Sequence, residues 1–123
     1  MSNYKEELAA RLLKFSVSII KLAALLPRNA AGFAIANQII RSACSVGANV
    51  QEAQDSISRK EFLHSVNISL KEARETLYWL KVIKESELIR GELLESAIVE
   101  CNEIVSILVS TVKSLKAKSK VKL

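Results

Sequence analysis

Apolar positions recur along this chain at helical rather than strand spacing. From Leu8 they step through Leu12, Phe15, Ile19, Leu22 and Leu26 at intervals of three and four, which is the stripe of an amphipathic helix. Leu13, Ile20 and Ala24 widen that stripe. A second run takes in Ile35, Ile39, Ala43, Val46, Val50 and Ala53, and a third Phe62, Val66, Leu70, Ala73, Leu77, Leu80 and Ile83. The fourth contains Leu94, Ile98, Cys101, Val105, Leu108, Val112 and Leu115. No segment alternates as a half-buried strand would. The spacing predicts helices over about residues 3–26, 31–55, 59–87 and 91–116.

Sparse punctuation sets the boundaries. Asn3 with Glu6 three residues on reads as a capping-box start, and Pro27 with Arg28-Asn29 stops the first helix. Ser58-Arg59-Lys60-Glu61 is a second capping box, and Gly91 precedes the fourth helix. Links this short join antiparallel neighbours. The expected fold is therefore all-α: an antiparallel up-down-up-down four-helix bundle over 1–116, followed by a lysine-rich tail over 117–123. The second helix is dense in small residues, Ser42, Ala43, Cys44, Ser45, Gly47 and Ala48, which let a neighbouring helix approach closely. Gly47 marks a bend, a close contact or a tolerated glycine.

Composition narrows the class further. The chain has 123 residues, half of them hydrophobic and a quarter charged, with three glycines and one proline. That excludes disordered, collagenous and loop-rich all-β chains and fits one helical domain. A mean hydropathy of +0.19 with broad first and fourth stripes predicts more apolar surface than one core can hide, hence self-association. Cys44 and Cys101, without a CxxC or secretory features, read as reduced, buried, small apolar residues of a cytoplasmic protein. No apolar run approaches the roughly 18 residues of a membrane span.

The net charge of +5 is unevenly placed. Lys113, Lys116, Lys118, Lys120 and Lys122 fall in the last eleven residues, and without them the basic and acidic residues balance. Such a cluster either complements the helix dipole and aids solubility, or binds phosphates without regard to sequence.

Candidate chemistry within the bundle is thin. Glu61 and His64 have the ExxH spacing of carboxylate-bridged metal sites, but His64 is the only histidine and Glu61 belongs to the capping box. Glu72 and Glu75 are read as solvated or ion-paired rather than acid/base groups. No catalytic residue, metal site or cofactor is expected. Arg41, Asn49 and Glu52 place polar groups among small apolar ones, either as a network fixing register between helices or subunits, or with Glu52 facing water. Of Tyr78 and Trp79, pointing about 100° apart, one is expected in the core and the other at the rim or in a subunit contact.

Three segments carry a family resemblance: Gln38 through Ala53 (QIIRSACSVGANVQEA), Ser58 through Leu63 (SRKEFL) and Leu70 through Leu80 (LKEARETLYWL). Together they resemble the bacterial four-helix bundle proteins encoded in intervening sequences of large-subunit ribosomal RNA genes. The matching motif residues are Arg41, Asn49, Glu52, Arg59, Phe62, Glu72 and Glu75, taken as fold or assembly determinants. The resemblance implies a ring-like homopentamer of antiparallel bundles. A related branch, the accessory proteins of diversity-generating retroelements, is basic and binds nucleic acid together with a reverse transcriptase. This chain departs from the family pattern with Gly47 in place of a usual proline and Ala53 in place of a frequent glycine. The expected function is a non-enzymatic homopentamer binding RNA or DNA weakly through clustered basic tails. The alternative is a scaffold for another polypeptide with no nucleic-acid affinity.

Overall fold

The computed structural model describes residues 4–121, with side chains through residue 118. Four helices follow one another: α1 Tyr4–Ala23, α2 Ala30–Gln54, α3 Arg59–Glu85 and α4 Glu92–Val121. Each packs on its neighbour in sequence and α4 closes back on α1 more sparsely, while the diagonal pairs do not pack, which is the arrangement of a four-helix bundle. Among the described residues there is no strand, and no helix is long and apolar enough to cross a membrane.

Local chemistry explains the ends. The Asn29 side chain accepts from the Gly32 N–H at 2.9 Å and caps α2. Ser58 Oγ accepts from the Glu61 N–H at 3.1 Å and caps α3 as the capping box predicts. The expected cap Asn3 lies outside the described residues. The first helix ends at Ala23, earlier than expected, because residues 24–26 tighten into a turn before Pro27, with Leu25 N–H and Leu26 N–H bonding Leu22 O and Ala23 O. α3 closes with Glu87 in the left-handed region at φ 55°. The Leu88 N–H bonds Ile83 O and the Glu87 N–H bonds Lys84 O, a Schellman end. α4 runs on to Val121 rather than stopping near 116, so the lysines through Lys120 belong to a helix and not to a separate tail.

The four stripes meet in one core. Leu12, Ile19, Leu22, Ile39, Val46, Leu80, Ile83, Ile104 and Leu108 are wholly enclosed. Four hydroxyl residues are buried with them, and each is bonded. Ser16 Oγ donates to Leu12 O at 3.0 Å, and Ser69 Oγ donates across to Val46 O at 2.7 Å. Thr76 Oγ1 lies 2.8 Å from Ser42 Oγ. The small residues of α2 thus face both neighbours: Ser42 and Val46 meet α3, and Gly47 lies against Leu12 of α1. A Cβ at Gly47 would meet Leu12 at an ordinary contact distance, so the glycine is tolerated there and not required.

Candidate assembly face and nucleic-acid interface

Three surfaces collect the residues singled out by sequence. On the α2/α3 side, Arg41 reaches across to α3. Its Nη1 donates to Glu72 Oε1 at 3.1 Å, and its Nη2 donates to Glu75 Oε2 and to Gln38 Oε1. Trp79 Nε1 donates to the same Glu75 oxygen at 2.9 Å. The i, i+3, i+7 spacing of Glu72, Glu75 and Trp79 on α3 brings them to one face. The two carboxylates are ion-paired here. Trp79 is half-buried against the core and Tyr78 is exposed, with their rings edge to face 5.2 Å apart.

The structure does not gather the other motif residues into that cluster. Asn49 Nδ2 donates to Ser45 O on its own helix at 2.8 Å, and Glu52 is exposed a turn further on. The network expected of Arg41, Asn49 and Glu52 is thus confined to Arg41, since Asn49 bonds the carbonyl of its own helix and Glu52 lies exposed near the helix end. Arg59 is exposed at the start of α3, and Phe62 is half-buried beneath the Lys5 ammonium, 4.8 Å from its ring centre. Glu61 and His64 are exposed, and among the described residues no group of three His, Cys, Asp or Glu is placed to hold a metal ion.

The second surface is apolar. Leu13, Val17 and Ile20 follow one another on the outer face of α1, exposed by 68, 45 and 47 %. Beside Leu13, a shallow groove runs between α1 and α2, floored by Ala9, Ala10, Cys44, Gly47 and Ala48. Leu25 and Phe33, also exposed, lie on either side of the turn that joins the two helices. Cys44 is half-buried in this groove and not in the core as expected, whereas Cys101 is enclosed. Burial pushes the Cys101 thiol up to about 12.

The third surface is the end of α4. From Thr111, whose hydroxyl is 3.4 Å from that of Tyr4 at the start of α1, the helix continues ten residues to Val121. Lys113, Lys116 and Lys118 are exposed on it. The side chain of Lys120, and Lys122 altogether, lie outside the described residues.

Sequence reasoning missed the clasp between α1 and α4. Arg11 Nε and Nη2 both donate to the Glu100 carboxylate at 2.7 Å, and Nη2 also reaches Glu103 at 3.2 Å. The Glu100 bond raises the Arg11 pKa against the opposing effect of its partial burial. The only available signal was an arginine set beside the apolar stripe between Leu8 and Leu12.

The family model for the 23S rRNA-intervening sequence protein matches residues 6–110, which takes in α2 and α3, most of α1 and α4, and the motif residues just located. The chain belongs to that family. A similar solved structure is a Bacteroides thetaiotaomicron protein of unknown function from the S23 ribosomal protein family. It is 39% identical, with a TM-score of 0.80 over 86% of this chain and 98% of that one. No curated protein matches. Within the 23S rRNA-intervening sequence family, then, this member pairs Arg41 with Glu72 and Glu75 and carries an uncovered apolar stripe on α1.

Proposed function

We propose that the protein is a non-enzymatic, cytoplasmic, self-associating bundle, a ring-like homopentamer. In this reading it binds RNA or DNA weakly and without sequence preference through its clustered basic C-terminal helices. The observation that carries the reading is the exposed stripe Leu13, Val17 and Ile20 beside the small-residue groove. A contiguous apolar surface of this kind is costly to leave in water, and packing against another copy removes it. Grooves floored by alanine and glycine accept a neighbouring helix closely. Membership of the family supports the same reading, as does the charge asymmetry. Assembly of five chains would bring twenty-five C-terminal lysines together, so that weak phosphate contacts add by multivalency.

Mass in solution by light scattering tests assembly. The native chain is expected to be pentameric and a Leu13→Glu, Ile20→Glu variant monomeric with unchanged helicity, while a native monomer would sink the assembly reading. Binding of a single-stranded RNA across a salt series tests the second part. Leu115 packs against the core, so the lysines are best neutralised by substitution to Gln and not by truncation. Loss of binding and a flattened salt slope are expected in that variant. Unchanged affinity would remove the lysines from the mechanism, and no affinity in the native protein would favour a scaffold for another polypeptide.

A further inference from the structure

Where α1 and α3 begin and α2 and α4 near their ends, the four helices leave an open cleft of about 450 Å³. Its floor is formed by Leu8, Val50, Val66 and Leu108, all buried, and Phe62 and Leu115 stand at its sides. The mouth is different in kind. Lys5 and Lys118, both exposed, stand at it, with the hydroxyls of Tyr4, Ser110, Thr111 and Ser114 between them. Among the described residues no Asp or Glu lines the cleft. Gln54 Nε2 donates to the Lys5 carbonyl at 2.7 Å, tying the start of α1 to the end of α2 at the rim.

The cleft exists because α4 presents serine and threonine, at 110, 111 and 114, where the sparse α1/α4 contact needs bulk to close. Its volume lies within the range of small-molecule sites, and an apolar interior with a few polar groups is their usual make-up. An apolar floor with ammonium groups at the lip selects for a ligand with both characters. A purely polar anion leaves the floor wet, and an uncharged chain gives the ammonium of Lys118, and that of Lys5 over the Phe62 ring, no counter-charge. A cationic amphiphile meets like charge.

We propose that this cleft binds an amphipathic carboxylate of the medium-chain fatty acid class. Its chain lies on Leu8, Val66 and Leu108, and its carboxylate is held by Lys5 and Lys118. The cleft shares no lining residue with the α1/α2 groove, so the site does not depend on the assembly reading.

Calorimetric titration of the full-length protein with decanoate, decanol and decyltrimethylammonium tests the proposal. Decanoate is expected to bind, octanoate about tenfold more weakly for its two missing methylenes, and the cationic amphiphile at least tenfold more weakly. A Lys5→Gln, Lys118→Gln variant should lose about tenfold for decanoate and leave decanol unchanged. Ser114→Trp, placed at the exposed lip, should block the site with helicity intact. Methyl resonances of Leu8, Val66 and Leu108 should shift on titration. Equal affinity for the three head groups, or shifts confined to Leu13, Val17 and Ile20, would overturn the proposal. So would binding to anionic phospholipid vesicles with no response to free decanoate, which would assign the cleft to a membrane surface.

Discussion

Gly32 and Gly47 lie on the same helix under opposite constraints. A Cβ on Gly32 would stand 1.8 Å from the Pro27 carbonyl oxygen and 2.8 Å from its carbon, both backbone atoms that cannot yield. On Gly47 the nearest atom would be Leu12 Cβ at 3.4 Å, an ordinary contact. Gly32→Ala is therefore expected to destabilise by about 3 kcal/mol or more, and Gly47→Ala to stabilise by roughly 0.5–1 kcal/mol through helix propensity; urea unfolding of the pair checks both. Glu87 holds a left-handed backbone that glycine adopts freely, so Glu87→Gly should gain about 1 kcal/mol despite the loss of its exposed pair with Arg90. Cys101 supplies a pH dependence. Its thiol stays protonated in the fold up to about 12, while the unfolded chain ionises near 9. Above pH 9 the native state thus binds the extra proton and stability falls with rising pH, by up to roughly 1.4 kcal/mol per pH unit. Cys101→Ala should abolish that alkaline component.

At the scale of elements, the pairing of α2 with α3 rests on hydroxyls as well as apolar packing. Ser42 and Thr76 face each other inside the core, and Thr76 also lies 2.9 Å from Glu72 O. Thr76→Val should cost about 1 kcal/mol, whereas Ser42→Ala together with Thr76→Val should cost less than the sum of the single changes, because each single change already removes the one bond the two hydroxyls share. A double-mutant cycle by thermal unfolding reads the coupling. The four helices were legible from the three-and-four spacing of their apolar residues, and the cap of α3 from Ser58 and Glu61. The extent of α4 was not, since Lys116 to Lys120 carry no apolar stripe to extend. The Arg41 partners on α3 were also hidden. Periodicity places Glu72 and Glu75 on one face of their helix but says nothing of which neighbour that face meets.

For the whole molecule, the apolar excess in the composition acquires a place: the outer face of α1 and the groove beside it. If copies pack there, assembly is linked to folding and the thermal midpoint must rise with protein concentration. That rise is expected for the native chain and should vanish in the Leu13→Glu, Ile20→Glu variant, with scanning calorimetry over a wide concentration range as the measure.

The sequence alone determined the number of helices, their order, the core stripes and the one-sided placement of charge, because each follows from local periodicity, capping chemistry and counting. The tertiary structure decided which faces meet. It set Gly32 under Pro27, closed α1 on α4 through Arg11 and Glu100, joined Arg41 to Glu72 and Glu75, and left Leu13, Val17 and Ile20 uncovered. Those outcomes depend on the rotation of each helix about its axis and its approach to the next. Both are set by the packing of all four helices together and are written in no single stretch of the chain.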